Sequence, residues 1–172
     1  MKLKLSDMAS IAEVIGAVAI VISLIYVGVQ VKDSTRAVRS ASANETSAAI
    51  SSWYTQIGSN SQASQVFIDG ITSPESLSRE EMIQYIFMVH GIFIEYQAAY
   101  YLAQEGTLDA GLQESFTATL LGVREMPGFA LYWKQRGNFF KPDFKSFVDD
   151  LLATGDTNTS AEAVYLPREP GR

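Results

Sequence analysis

The hydrophobic positions of this chain fall into two regimes. Up to Val31 they form one nearly unbroken run, and beyond Ile50 they recur at helical spacing between polar positions. The segment Val14–Val31 (VIGAVAIVISLIYVGVQV) contains no charge, and counting from Met8 the run is interrupted only by Glu13. As a helix, residues 8–31 measure about 36 Å, enough to cross a hydrocarbon core of about 30 Å. A helix buried in a soluble core usually keeps a polar stripe. Here large aliphatics occur on every side, which suits lipid. Ser6 or Asp7 is expected to cap the start, and Ser10–Glu13 has the form of a capping box. One rival reading is a cleaved signal peptide with Lys2 and Lys4 as its basic region; the apolar run is long for that role, and Ala41–Ser42–Ala43 follows too late to be its cleavage site. A second rival is a buried helix of a soluble protein. The expectation is a retained single-pass anchor with a short tail, residues 1–7, before it.

Residues 32–57 contain no Pro or Gly, so the helix is expected to run on, or to restart after Asp33, as a helical stalk. Ile50, Trp53 and Ile57 share one face and should pack on the domain that follows. That domain, residues 58–154, reads as a small helical bundle. Gly58–Ser61 is a turn, and a short helix over about Gln62–Asp69 should end at Gly70. Ser78–Glu81 is a capping box that opens a long helix reaching Gln104, with Gly106 as its stop. This helix is very apolar, but as a second span it would place Gln84, His90, Glu95 and Gln97 in the bilayer, so it is read as the central helix of the bundle. Thr107 is expected to cap the next helix, Leu108–Glu125, with Leu112, Phe116, Leu120 and Val123 inward. Pro127 suits the first position of a short aromatic helix ending near Gly137, and Pro142 opens a last one that Gly155 closes. Residues 155–172 form a polar tail. No segment alternates with period two, so the fold class is all-α: a transmembrane helix continuing into, or joined to, a small bundle.

Composition narrows the chemistry. The chain of 172 residues has a formal charge of −6, 47% hydrophobic residues, no cysteine and one histidine. Thiolate metal sites, cysteine nucleophiles and multi-histidine metal sites are excluded. No basic run offers the charge that a phosphate backbone requires, so nucleic acid is not expected as a partner. His90 and Glu95 lie on the most apolar helix, about 140° apart around its axis, which prevents them from sharing a ligand on one face. They read as a core histidine and a glutamate paired with Arg124 or Arg136. Tyr96 and Tyr100, with His90, would line any ligand pocket in the bundle. No phosphate loop, dinucleotide fingerprint or hydrolase elbow is present, and no cofactor or catalytic residue is expected.

Within the membrane segment, Ala12, Gly16, Ala19 and Ser23 lie on one stripe, with Gln30 further along. Small residues let helix backbones approach closely in lipid, and Gln30 can bond across such a contact. The segments Ala9–Arg39, Gly91–Asp109 and Pro127–Leu152 also resemble a family of uncharacterised bacterial proteins of about this length. The resemblance implies a protein of the bacterial cell membrane, with one N-terminal membrane helix and a helical domain, and brings no activity with it. The C-terminal domain is expected on the cytoplasmic side. Three functions compete: an interaction or accessory module, binding a protein partner or a second copy through the membrane helix; a small-molecule sensor relaying through that helix; and, weakest, an enzyme.

Overall fold

The computed structural model describes residues 5–154. Among them the chain forms six α-helices and no strand: α1 (Leu5–Gly58), α2 (Ser61–Thr72), α3 (Arg79–Gln104), α4 (Ala110–Val123), α5 (Pro127–Arg136) and α6 (Pro142–Thr154). Short 3-10 turns at Pro74–Ser76 and Gly137–Phe139 lead into or follow these helices. The expected Gly155 stop and polar tail lie outside the described residues.

Helix α1 is continuous from Leu5 to Gly58 and has no restart at Asp33, because nothing in residues 32–57 withdraws a backbone N–H or favours a turn. Two sequence expectations fail here. Residues Leu5–Asp7, assigned to a tail, are already helical, and the Ser10–Glu13 box lies inside a helix in progress rather than at its start. From Ile11 to Ser40 every side chain of α1 is exposed. It is the one helix among the described residues that is long and apolar enough to cross a membrane, with a mean hydropathy of 2.5 in its most apolar window.

The upper part of α1 is more than a stalk, because it is one wall of the bundle. Thr46 is buried, and Ile50, Trp53 and Ile57 pack against the core, as their spacing predicts. The Trp53 indole N–H donates to the carbonyl of Met88 on α3 at 2.8 Å. Arg39 Nε donates to the carbonyl of Gly106, just beyond the other end of α3, at 2.8 Å. These two bonds make α1 and α3 antiparallel and place the α3–α4 turn at the end of the bundle nearest the apolar half of α1.

Helix α3 is the central helix. Its capping box forms as expected: Glu81 N–H donates to Ser78 Oγ and Ser78 N–H to the Glu81 carboxylate. The carboxylate is held below its ordinary range by these bonds to Ser78. Its stop is a Schellman motif. Gly106 takes φ +68°, its N–H donates to Ala103, and Thr107 N–H donates to Leu102. Because Thr107 is used in this way, and its hydroxyl also donates to Leu102 O, it cannot cap α4. Asp109 caps instead, accepting from Gly111 N–H, so α4 begins at Ala110 rather than Leu108 and ends at Val123 rather than Glu125.

Gly70 also departs from expectation. It lies inside α2, which runs on to Thr72, because the glycine serves a crossing and not a stop. Helices α2 and α5 meet at Gly70 and Gly128: a Cβ built on Gly128 would fall well inside contact distance of the Gly70 carbonyl oxygen and 2.7 Å from Ile71 Cα. On the other side, the Tyr85 ring lies directly against Gly70. Around this crossing the core is largely aromatic. Phe93 touches the rings of Phe129, Tyr132, Trp133 and Phe140, while Phe144 and Val148 of α6 close the far side.

Candidate functional site

Three regions hold the residues singled out in the sequence. The first is the free face of α1. Ala12, Gly16, Ala19, Ser23 and Gln30 are all exposed and share one stripe. Ser23 satisfies its own hydroxyl by donating to Ala19 O at 2.9 Å, so it adds no unpaired donor to a close helix contact in lipid. Because α1 is unbroken, the stripe keeps its phase beyond the membrane-length segment, through Ser34, Ala37, Ala41, Ala48 and Ser52, all of them exposed. At 100° per residue this row lies about 150° from the face of Thr46, Ile50, Trp53 and Ile57 that docks on the bundle. The continuation is legible in the sequence only once the helix is known not to restart at Asp33. At its upper end Ser52 borders a groove of about 540 Å³ between α1 and α3, lined also by Ala49, Gln56, Phe87, Gly91 and Glu95. Beside this groove α3 exposes Ile83, Phe87 and Ile94, with Phe87 67% accessible.

Glu95 lies on the rim of the groove, half-buried. The expected pairing with Arg124 or Arg136 does not form. Among the described residues the ion pairs are Arg124–Glu125 and Lys145–Asp149, and the Arg136 guanidinium lies over the Phe139 ring. The premise was a fully buried carboxylate; on a rim, water solvates the charge and no cation is required.

The second region surrounds His90. Its Nδ1 and the phenol oxygen of Tyr132 are joined by a 2.9 Å hydrogen bond, and its ring packs on Phe140. Tyr132 is fully buried, so the bond satisfies a phenol that the core would otherwise leave unpaired. Burial first, and the nearby Arg136 charge second, lower the His90 pKa from its ordinary 6.5. A histidine whose folded pKa is depressed contributes stability that is complete above the unfolded value and lost as pH falls through the folded one. The denaturation midpoint should therefore decline as pH is lowered from 7 through 6.5 and below. His90→Phe should flatten that part of the profile; a slope unchanged in the variant would assign the pH dependence elsewhere. Asp149 acts at lower pH. Burial raises its pKa, but hydrogen bonds from Lys145 and Trp133 outweigh this and hold it below its ordinary 3.8.

The third region is the tyrosine cluster. The sequence grouped Tyr96, Tyr100 and His90 around one pocket, and the structure separates them. Tyr100 packs on Tyr101, Phe144 and Phe147 on the α6 side. Tyr96 instead borders a cavity of about 40 Å³, lined also by Trp53, Tyr85, Phe93 and Phe129. Burial raises the phenol pKa of Tyr85, Tyr96 and Tyr132, so all three remain protonated donors. Tyr85 is the unusual member: its hydroxyl is enclosed and has no hydrogen-bond partner among the described residues. No group of three or more metal-ligating side chains occurs among the described residues.

Comparison with known proteins finds no family model, no curated protein and no solved structure that matches the chain. These comparisons neither support nor oppose the bacterial family resemblance read from the sequence.

Proposed function

We propose that this protein is a membrane-anchored interaction module in which the lower half of α1 spans a bacterial membrane and the free face of α1 pairs with the same face of a second copy. One observation carries the reading: a row of mainly small residues, from Ala12 to Ser52 with Gln30 within it and Tyr26 and Glu45 at its edges, on the side of α1 that the bundle leaves uncovered. In lipid, where apolar side chains gain nothing by leaving one apolar surface for another, close backbone approach along such a row is a main source of helix association. The row ends beside the apolar α3 side chains Phe87 and Ile94, so pairing would extend from the bilayer onto the bundle. The basic residues flanking the span, Lys2 and Lys4 before it and Lys32, Arg36 and Arg39 after it, nearly balance, and the reading places the bundle on the cytoplasmic side. A catalytic role forms no part of the reading.

The absence of cysteine makes the test direct. Ala19→Cys, Ala41→Cys and Ala48→Cys, each oxidised in native membranes, should give a band of twice the chain mass, since a disulfide requires Cα atoms within about 7 Å. Val21→Cys and Ile25→Cys, on the opposite side of the helix, should remain monomeric. Equal cross-linking on both sides, or none at any position, would remove self-pairing from consideration.

A further inference from the structure

A groove of about 410 Å³ runs between α1 and α4, on the opposite flank of α1 from the groove beside Phe87; its Thr55 lies in phase with the upper edge of the small-residue row. Hydroxyls dominate its polar lining: Ser51, Tyr54 and Thr55 from α1, Ser115 and Thr119 from α4, and Tyr96 from α3. Tyr54, Tyr96 and Thr119 also line the 40 Å³ aromatic cavity, so groove and cavity share a wall. Neither is lined by a charged side chain. The cavity wall includes Tyr85, whose enclosed hydroxyl is unpartnered.

We propose that groove and cavity together form a binding site for a small, uncharged, amphipathic molecule: an alcohol, amide or ester whose apolar end enters the cavity while its polar atoms meet the hydroxyls of the groove. Size and chemistry each support this. The groove falls within the range of small-molecule sites, whereas the cavity alone has room only for a methyl-sized group or water. An ion would lose its hydration here and find no opposite charge, so the site selects neutral ligands. Trp53 and Tyr54 belong to α1, so an occupant bridges α1 to α4. The site is independent of the pairing of α1 with a second copy.

The two indole N–H resonances of the full-length protein, ¹⁵N-labelled in lipid nanodiscs, provide the test. Titration with 1-propanol, whose terminal methyl fits the cavity, should shift the Trp53 signal with saturation below about 50 mM, the range expected for a ligand this small, while the Trp133 signal serves as the internal reference. Propionate and propylammonium, similar in shape but charged, should produce no saturable shift. Ser51→Phe, at an exposed groove position, should abolish the response. A linear shift, an undiminished response in Ser51→Phe, or equal saturation by the charged analogues would overturn the proposal.

Discussion

Replacing Gly128 with alanine should unfold the bundle well below the melting temperature of the parent protein. The new methyl group would have to occupy space already filled by the Gly70 carbonyl and Ile71 Cα, which are backbone atoms that no rotamer change can move aside. Helices α2 and α5 would have to separate, opening gaps along the contacts of Phe67, Ile71 and Phe129. Overpacking of side chains typically costs about 1–3 kcal/mol, and a collision with backbone belongs at or above the upper end. For a domain of this size, 3 kcal/mol corresponds to a fall of roughly 12–24 °C in melting temperature. The same substitution at Gly91 serves as the control. A Cβ there meets nothing within 4 Å, and Gly91 lies in the middle of α3, where alanine is the better helix former by about 0.5–1 kcal/mol. Thermal denaturation followed by circular dichroism should move in opposite directions for the two variants. If Gly128→Ala melts with the parent, the close crossing of α2 and α5 is wrong.

The other large effect concerns membrane retention. If α1 spans a membrane as proposed, placing arginine at both Val18 and Ile22 should release the chain from the bilayer or prevent its insertion. These positions are one turn apart near the middle of the apolar run, and no part of the bundle covers them. Each charge at the centre of a span costs about 2.5–3.5 kcal/mol on insertion scales, and the pair lies too deep for both side chains to snorkel freely. The parent protein should stay in the pellet when membranes are washed at alkaline pH, and the double variant should leave it or aggregate. An unsubstituted, full-length chain that washes off and stays monodisperse without detergent would disprove the anchor, and with it the pairing in lipid.

Features confined to a single turn were legible in advance. The capping box at Ser78–Glu81, the glycine stop at Gly106, Pro127 at a helix start and the docking face of Ile50, Trp53 and Ile57 all follow from spacing and local hydrogen bonding. Errors arose where a residue had more than one local use. Thr107 and Asp109 both suit an N-cap, and the Schellman motif after α3 takes the first and leaves the second. Gly70 reads as a stop because glycine often is one; that it lies under Gly128 depends on a helix far along the chain. Glu95 was given an arginine partner on the assumption of full burial, and its actual rim position depends on how α1 lies against α3. Tyr100 and His90 were grouped with Tyr96 because one helix carries all three, yet that helix turns them towards different neighbours.

By itself, then, the amino-acid order determined the helical class, several of the helix boundaries and an N-terminal segment apolar on every side. Those properties follow from hydropathy and from bonds made within one or two turns. That the bundle leaves this segment uncovered is a property of the structure. Tertiary structure decided which faces meet and how closely. The contacts of Gly70 with Gly128, Trp53 with Met88 and Arg39 with Gly106 join residues distant in sequence. The fit at a helix crossing depends on the side-chain volumes of both partners together, a quantity that no single stretch of sequence contains.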